Sequence, residues 1–236
     1  MIAPLTFWSR RLPPDVPHES PMKPSFDLSV YVITDPLLCV RYGLIETAQA
    51  AVRGGVKILQ LRDKTATDAA LIDQGRALKE ALARSDTLLI VNDRVEVARA
   101  IGADGVHVGQ SDAAAADARK ALGPDAIVGL SIQTHDQAAA LDLALIDYVG
   151  VGPVFATATK PDHAPPLGFE GLKRVCAASA LPAVAIGGLS AAHARAVFAA
   201  GARGLAVVSG ICAAEEPETA ARAFVEAARE ARRARS

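Results

Sequence analysis

Eight short apolar runs punctuate the chain, separated by longer stretches with helical spacing. The runs are Val30-Tyr31-Val32-Ile33, then 56–61, 88–91, 105–108, 127–130, 148–151, 183–186 and 205–208. They are rich in Val, Ile and Leu with little polar alternation, as strands covered on both faces should be. Between them, Leu71, Ile72, Gly75, Leu78, Ala81 and Leu82 form one helical stripe. Ala194, Val197 and Phe198, and the region 224–231, supply others. Small residues precede three of the runs, in Gly54-Gly55-Val56, Gly102-Ala103-Asp104-Gly105-Val106 and Gly201-Ala202-Arg203-Gly204-Leu205. Glycine after a helix can take φ > 0 and turn the chain back into a sheet. A strand–helix unit repeated eight times predicts an α/β fold, a single (β/α)8 TIM-type barrel. An open doubly wound sheet is the alternative, but Thr34-Asp35-Pro36 after the first run is not its glycine-rich nucleotide loop.

Residues 1–27 stand outside this pattern. They hold Pro4, Pro13, Pro14, Pro17, Pro21 and Pro24, and Arg10-Arg11 follow a short apolar patch. A signal peptide reverses that order, and Asp15 and Glu19 argue against a transit peptide. The expectation is a mobile tail, with Met22 as a second candidate start, followed by one catalytic domain over 28–236.

With 236 residues and 51% hydrophobic content, one large core of about barrel size is accessible. Twenty-five basic residues face twenty-six acidic ones, for a formal net charge of -1, and no basic tract points to nucleic acid. Aromatics at 4% argue against base stacking. No stretch is long and apolar enough to span a bilayer, so no membrane partner is expected. Cys39, Cys176 and Cys212 are scattered, without a CxxC pair. They read as reduced packing thiols in a cytoplasmic protein. Oligomeric state is left open, a homo-oligomer included.

The chemistry lies just after the runs, where barrel strands deliver residues to one rim. Arg62 and Lys64, one residue apart, leave an extended chain on one side and suit a pyrophosphate, with a rim ion pair to Asp63, Glu46 or Asp68 as the plainer account. Gln60, on that side, is placed to read a heterocycle or to bridge strands. Asp93 and Asp112 follow neighbouring runs. Singly, each is most simply a helix cap. Together, beside Asn92, Arg62 and Lys64, they suit Mg²⁺ with room for waters and phosphate oxygens. Thr157-Ala158-Thr159-Lys160 opens a loop longer than closure requires, continued by the Pro-rich segment 161–166. Gly187-Gly188 and Val208-Ser209-Gly210, after the seventh and eighth runs, match the usual barrel phosphate site. Ser131 binds a ligand or caps a helix. His107, between Val106 and Val108, reads as a barrel-interior histidine with a satisfied hydrogen bond rather than a base.

Several of these stretches together resemble the thiamine phosphate synthase family. They are Gln60-Leu61-Arg62-Asp63-Lys64, Asn92-Asp93-Arg94, Gly105-Val106-His107-Val108-Gly109-Gln110-Ser111-Asp112, and Val149 to Phe155 continuing to Lys160. The resemblance runs from about Val30 to Ile211. It implies a barrel that joins 4-amino-2-methyl-5-hydroxymethylpyrimidine diphosphate to a thiazole phosphate or its carboxylate, releasing pyrophosphate. It also implies that Gln60, Leu61, Arg62, Asp63, Lys64 and Asn92 hold the pyrimidine diphosphate, with Ser131 and Lys160 closing on it. Thr157, Ala158, Thr159, Gly188, Val208 and Ser209 would hold the thiazole phosphate, and Asp93 and Asp112 the Mg²⁺. Arg62, Lys64, Lys160 and Ser131 are the implied catalytic groups. Two departures from the family pattern stand out: the alanine run Ala113 to Ala116 after Asp112, and Ile132-Gln133 after the serine. The rivals are the related thiazole tautomerase, a sugar-phosphate isomerase on the same fold, and a phosphate-binding regulator without catalysis.

Overall fold

A computed structural model describes residues 26–110, 112–159 and 164–235. Eight strands close into a barrel in sequence order. They are β1 (Val30–Ile33), β2 (Ile58–Leu61), β3 (Leu88–Asn92), β4 (Gly105–Val108), β5 (Ile127–Ile132), β6 (Tyr148–Val151), β7 (Ala183–Ile186) and β8 (Gly204–Val207). All adjacent pairs are parallel, and β1 closes the barrel on β8. The expected (β/α)8 barrel is thus the observed fold.

The helices of the described residues are α1 (Leu44–Arg53), α2 (Asp68–Leu82), α3 (Val95–Ile101), α4 (Asp112–Leu122), α5 (His135–Ala139), α6 (Gly168–Ala178), α7 (Ala194–Ala199), α8 (Ser209–Cys212) and α9 (Pro217–Arg233). The stripe expected along 71–82 is the buried side of α2, where Leu71, Gly75, Leu78 and Leu82 face inward. Alternation along each strand divides the apolar residues into two layers. Val32, Leu59, Leu61, Val91, Val106, Leu130, Val149 and Leu205 pack outward against the helices. Tyr31, Ile33, Ile58, Ile90, Tyr148, Val184 and Ala206 fill the barrel interior.

Two aspartates just before strands, Asp104 and Asp147, each bind a neighbouring strand. The Asp104 carboxylate accepts the Leu89 N–H at 2.7 Å, and the Asp147 carboxylate accepts the Val128 N–H at 2.8 Å. Each aspartate thereby stitches the start of its own strand to the strand before it. Arg119 of α4 adds an ion pair to Asp147 at 2.7 Å and donates to the Leu145 carbonyl at 3.0 Å. This anchors α4 across the base of β5 and β6.

Two residues before β1 make contacts to the barrel. The Phe26 ring packs edge-on against Tyr148, 5.9 Å between centroids, and Asp27 accepts from the Ser29 hydroxyl and N–H. Residues 1–25 of the expected 1–27 tail, Met22 included, lie outside the described residues. Cys39 and Cys212 are buried, unbridged members of the outer layer, in keeping with packing thiols. No helix of the described residues is long and apolar enough to cross a membrane.

Candidate active site

The last inward-facing positions of the strands form the floor of a cavity of about 700 Å³ at the carboxyl end of the barrel. Parallel register makes this floor. Ile33 stands level with Gln60, Asn92 with His107, and Ser131 with Gly150. All six line the cavity, with Ile186 and Val208 completing the ring.

The β2 side carries the cationic wall. Arg62 and Lys64 both line the cavity, as their spacing implied. The Arg62 guanidinium meets the Asp35 carboxylate at 3.4 Å, both largely shielded from solvent, and its backbone N–H donates to Thr34 Oγ1 at 3.0 Å. The ionic partner is therefore Asp35, not Asp63, Glu46 or Asp68. Asp68 pairs instead with Arg94 and holds that cation away on α2.

Two residues expected to touch ligand on this side face elsewhere. Leu61 is 1% exposed and packs outward among the helices, because the strand that turns Gln60 and Arg62 inward turns Leu61 out. Asp63 folds over its own loop, accepting from Thr65 N, Thr65 Oγ1 and Ala66 N. Burial raises its pKa, but these hydrogen bonds and Arg62 outweigh that and hold it below the usual carboxylate range.

Asn92 and Asp93 line the cavity beside this wall. Asp93 sits in the left-handed region at φ 58°, and Asn92 Nδ2 donates to Asp93 Oδ2 at 2.7 Å. Asp112 begins α4, directly after β4, and its side chain is outside the described set. No group of three or more His, Cys, Asp or Glu gathers as a metal cluster among the described residues. Asp93 beside Asn92 at the cavity fits a cation held by one or two carboxylates plus substrate phosphate oxygens, which is how Mg²⁺ is usually bound.

The opposite wall is built mostly from backbone. Gly187 and Gly188 have φ of +101° and +63°. A Cβ on Gly188 would stand 2.7 Å from the Ala156 carbonyl, and one on Gly187 would stand 2.6 Å from Pro153 Cβ. The glycine pair is thus required by close passage of the loop after β6. Beside it, Val208, Ser209 and Gly210 line the cavity where α8 begins, and the first N–H groups of a helical turn lack partners within it. Thr157 and Thr159 line this wall too, their hydroxyls 2.8 Å apart, whereas Ala158 between them points out to solvent. Lys160 lies outside the described residues. Gln133, one of the two departures from pattern, also lines the cavity, while Ile132 is buried in the outer layer. In the alanine run, Ala115 is buried against the barrel.

Between the walls lies a buried polar chain. Gln60 Nε2 donates to the Tyr31 hydroxyl at 2.8 Å, and the Tyr31 and Tyr148 hydroxyls are 2.9 Å apart. Tyr148 and Ser131 each stand 2.9 Å from His107, at Nδ1 and Nε2. The interior histidine with satisfied hydrogen bonds is as expected. Burial lowers its pKa from 6.5 to about 4, against the opposing charge of Asp93. Burial also raises both tyrosines, so the whole chain is uncharged at neutral pH.

Residues 30–211 match the family model described as thiamine monophosphate synthase. The chain belongs to the thiamine monophosphate synthase family. A thiamine-phosphate synthase of Psychrobacter sp. is 51% identical over 201 residues, covering 84% of this chain and 94% of that protein. One from Xanthobacter autotrophicus is 52% identical over 203 residues, covering 86% and 96%. The solved thiamine phosphate pyrophosphorylase of Pyrococcus furiosus superposes with a TM-score of 0.77 at 33% identity, covering 86% of this chain and 96% of that one. A 3-hexulose-6-phosphate synthase, at 20% identity and a TM-score of 0.64, shares the fold alone.

Tyr31, Tyr148 and Asp35, which the sequence did not signal, contact the cavity-lining Gln60, His107 and Arg62. Tyr31 and Tyr148 lie inside apolar strand runs. A polar tip on such a residue acquires a role only when two strands distant in sequence meet.

Proposed function

We propose that the chain joins 4-amino-2-methyl-5-hydroxymethylpyrimidine diphosphate to a thiazole phosphate, or its carboxylate, as a cytoplasmic enzyme of thiamine biosynthesis. The observation that carries this reading is one cavity with two unlike anion-binding walls. Arg62 and Lys64 stand on one side, and the Gly187-Gly188 and Val208-Ser209 backbone on the other. One anionic substrate would explain one wall. A diphosphate facing a monophosphate explains both.

The bond that breaks joins the pyrimidine's exocyclic carbon to a diphosphate oxygen, and the bond that forms joins that carbon to the thiazole nitrogen. The electron pair leaves with pyrophosphate. The aminopyrimidine ring delocalises the positive charge left on carbon. Arg62 and Lys64 hold the departing anion, with Lys160 as the third cation of the set. Asp35 keeps the Arg62 fork oriented before substrate arrives. Gln60 and Ser131 hold the pyrimidine and its leaving group over the cavity floor. Thr157, Thr159, Gly188, Val208 and Ser209 fix the thiazole phosphate so that its nitrogen waits at bonding distance. Asp93 and Asp112 would hold Mg²⁺. When bound, the ion neutralises charge on the diphosphate oxygens. No strong protein base is needed, since the thiazole nitrogen attacks through its free lone pair and no proton is released; the carboxylated form also loses carbon dioxide from its ring carbon, which takes up a proton from water.

The test is to mix both precursors with the protein and Mg²⁺ and follow thiamine phosphate and pyrophosphate together. Equimolar formation of the two supports the reading. Conversion of a thiazole phosphate to an isomer without pyrophosphate release would point instead to a tautomerase.

A further inference from the structure

Gln60 and Ser131 are linked beneath the cavity by the chain through Tyr31, Tyr148 and His107. Protons along such a chain are countable. Each hydroxyl has one to donate, and a neutral imidazole has one N–H. The Gln60 amide nitrogen can only donate, so the Tyr31 proton turns to Tyr148. Tyr148 then donates to His107 Nδ1, which leaves the imidazole proton on Nε2, donated to Ser131 Oγ. The Ser131 hydroxyl proton is left for the cavity, and so is the Gln60 carbonyl oxygen.

Reversing the Gln60 amide would reverse every bond. His107 would carry its proton on Nδ1, Gln60 would offer N–H to the cavity, and Ser131 would spend its proton on His107. The two cavity groups therefore cannot be set independently.

The fold keeps space for this chain. A Cβ on Gly129 would lie 2.2 Å from Tyr148 Cζ and 2.5 Å from His107 Nδ1, and one on Gly150 would lie 3.0 Å from His107 Cε1. β5 and β6 are bare where the two rings pass.

We infer that Tyr31, Tyr148 and His107 are positioning residues that lock an acceptor at Gln60 to a donor at Ser131 through one directional hydrogen-bond chain. An anion at Ser131 needs a donor, so it selects the form in which Gln60 accepts from the ring that carries that anion. This assignment of the anion rests on the proposed reaction; the chain itself does not.

The experiment uses the ¹⁵N-labelled full chain. Long-range ¹H–¹⁵N spectra read the His107 tautomer with and without inorganic pyrophosphate, and His107→Gln identifies the signals. The expected result is a proton on Nε2, sharpened to one form by pyrophosphate with Mg²⁺. Tyr148→Phe keeps the ring but cuts the chain. It should mix the tautomers and lower kcat about tenfold, the scale of one directed hydrogen bond. On a Ser131→Ala background the same change should cost no further activity, because loss of the Ser131 end already breaks the coupling to Gln60.

A proton on Nδ1 with pyrophosphate bound would overturn the inference. So would an unmoved tautomer in Tyr148→Phe, or an equal loss on both backgrounds. If Tyr148→Phe does not fold, Tyr31→Phe provides the same cut one link away. A wild-type chain that makes no thiamine phosphate yet shows the Nε2 form would sink the reaction and leave the chain standing.

Discussion

The two walls of the cavity are made by different means. On the β2–β3 side, the groups that face ligand are side chains: Arg62, Lys64, Asn92 and Asp93. On the β7–β8 side they are largely backbone, exposed by Gly187, Gly188 and the start of α8. A side-chain wall can concentrate formal charge and suits a multiply charged leaving group. A backbone wall offers neutral N–H donors of fixed direction and suits a phosphate that is held but not expelled. In the proposed reaction, charge gathers at the bond that breaks, and rigidity at the partner that waits.

Substitutions that weaken one wall should therefore affect its own ligand. The largest effect is expected for Arg62→Ala, which should lower kcat by about 10²–10³, the usual scale for removing one oxyanion stabiliser. Asp93→Ala should fall in the same range, with activity recovering in part at high Mg²⁺. Steady-state pyrophosphate release checks both. Gly188→Ala comes next. Its φ of +63° and the 2.7 Å approach to the Ala156 carbonyl force the opposite wall to shift. It should raise the thiazole phosphate KM about tenfold and lower stability by about 1–3 kcal/mol, read by kinetics and thermal melts.

A smaller effect follows from pH. His107 binds its proton near pH 6.5 when unfolded but at about 4 in the native barrel, because burial disfavours the charged ring. Between those values the unfolded state holds more protons, so stability falls as pH drops. His107→Gln should flatten that part of the melting-temperature profile. The least change is expected for Ser209→Ala, less than about threefold in KM, since the wall there acts through backbone N–H groups.

The barrel was legible because its strands are apolar runs set at near-regular intervals, and several boundaries agree to the residue, as in β1, β4, β6 and β7. β2 is shorter than its run of 56–61, since Lys57 at its start points to solvent. The charged wall was also legible, because Arg62, Lys64, Asn92 and Asp93 advertise themselves in sequence. Within contiguous motifs, side chains do not all face the cavity. Leu61, Asp63 and Ala158 sit within them yet face the helices, their own loop and solvent. The Tyr31–Tyr148 contact was invisible because it joins residues 117 apart across the interior of the closed barrel. Asp35 was seen only as part of a segment that is not a glycine loop, and its pairing with Arg62 depends on β1 and β2 lying side by side.

The claim that each wall holds its own ligand is tested most directly by calorimetric titration of the two precursors, separately, into Arg62→Ala and Gly188→Ala. Arg62→Ala should lose affinity for the pyrimidine diphosphate with Mg²⁺ while keeping that for the thiazole phosphate, and Gly188→Ala should do the reverse. Loss of both ligands by either folded variant, or an exchange of the two patterns, would contradict it.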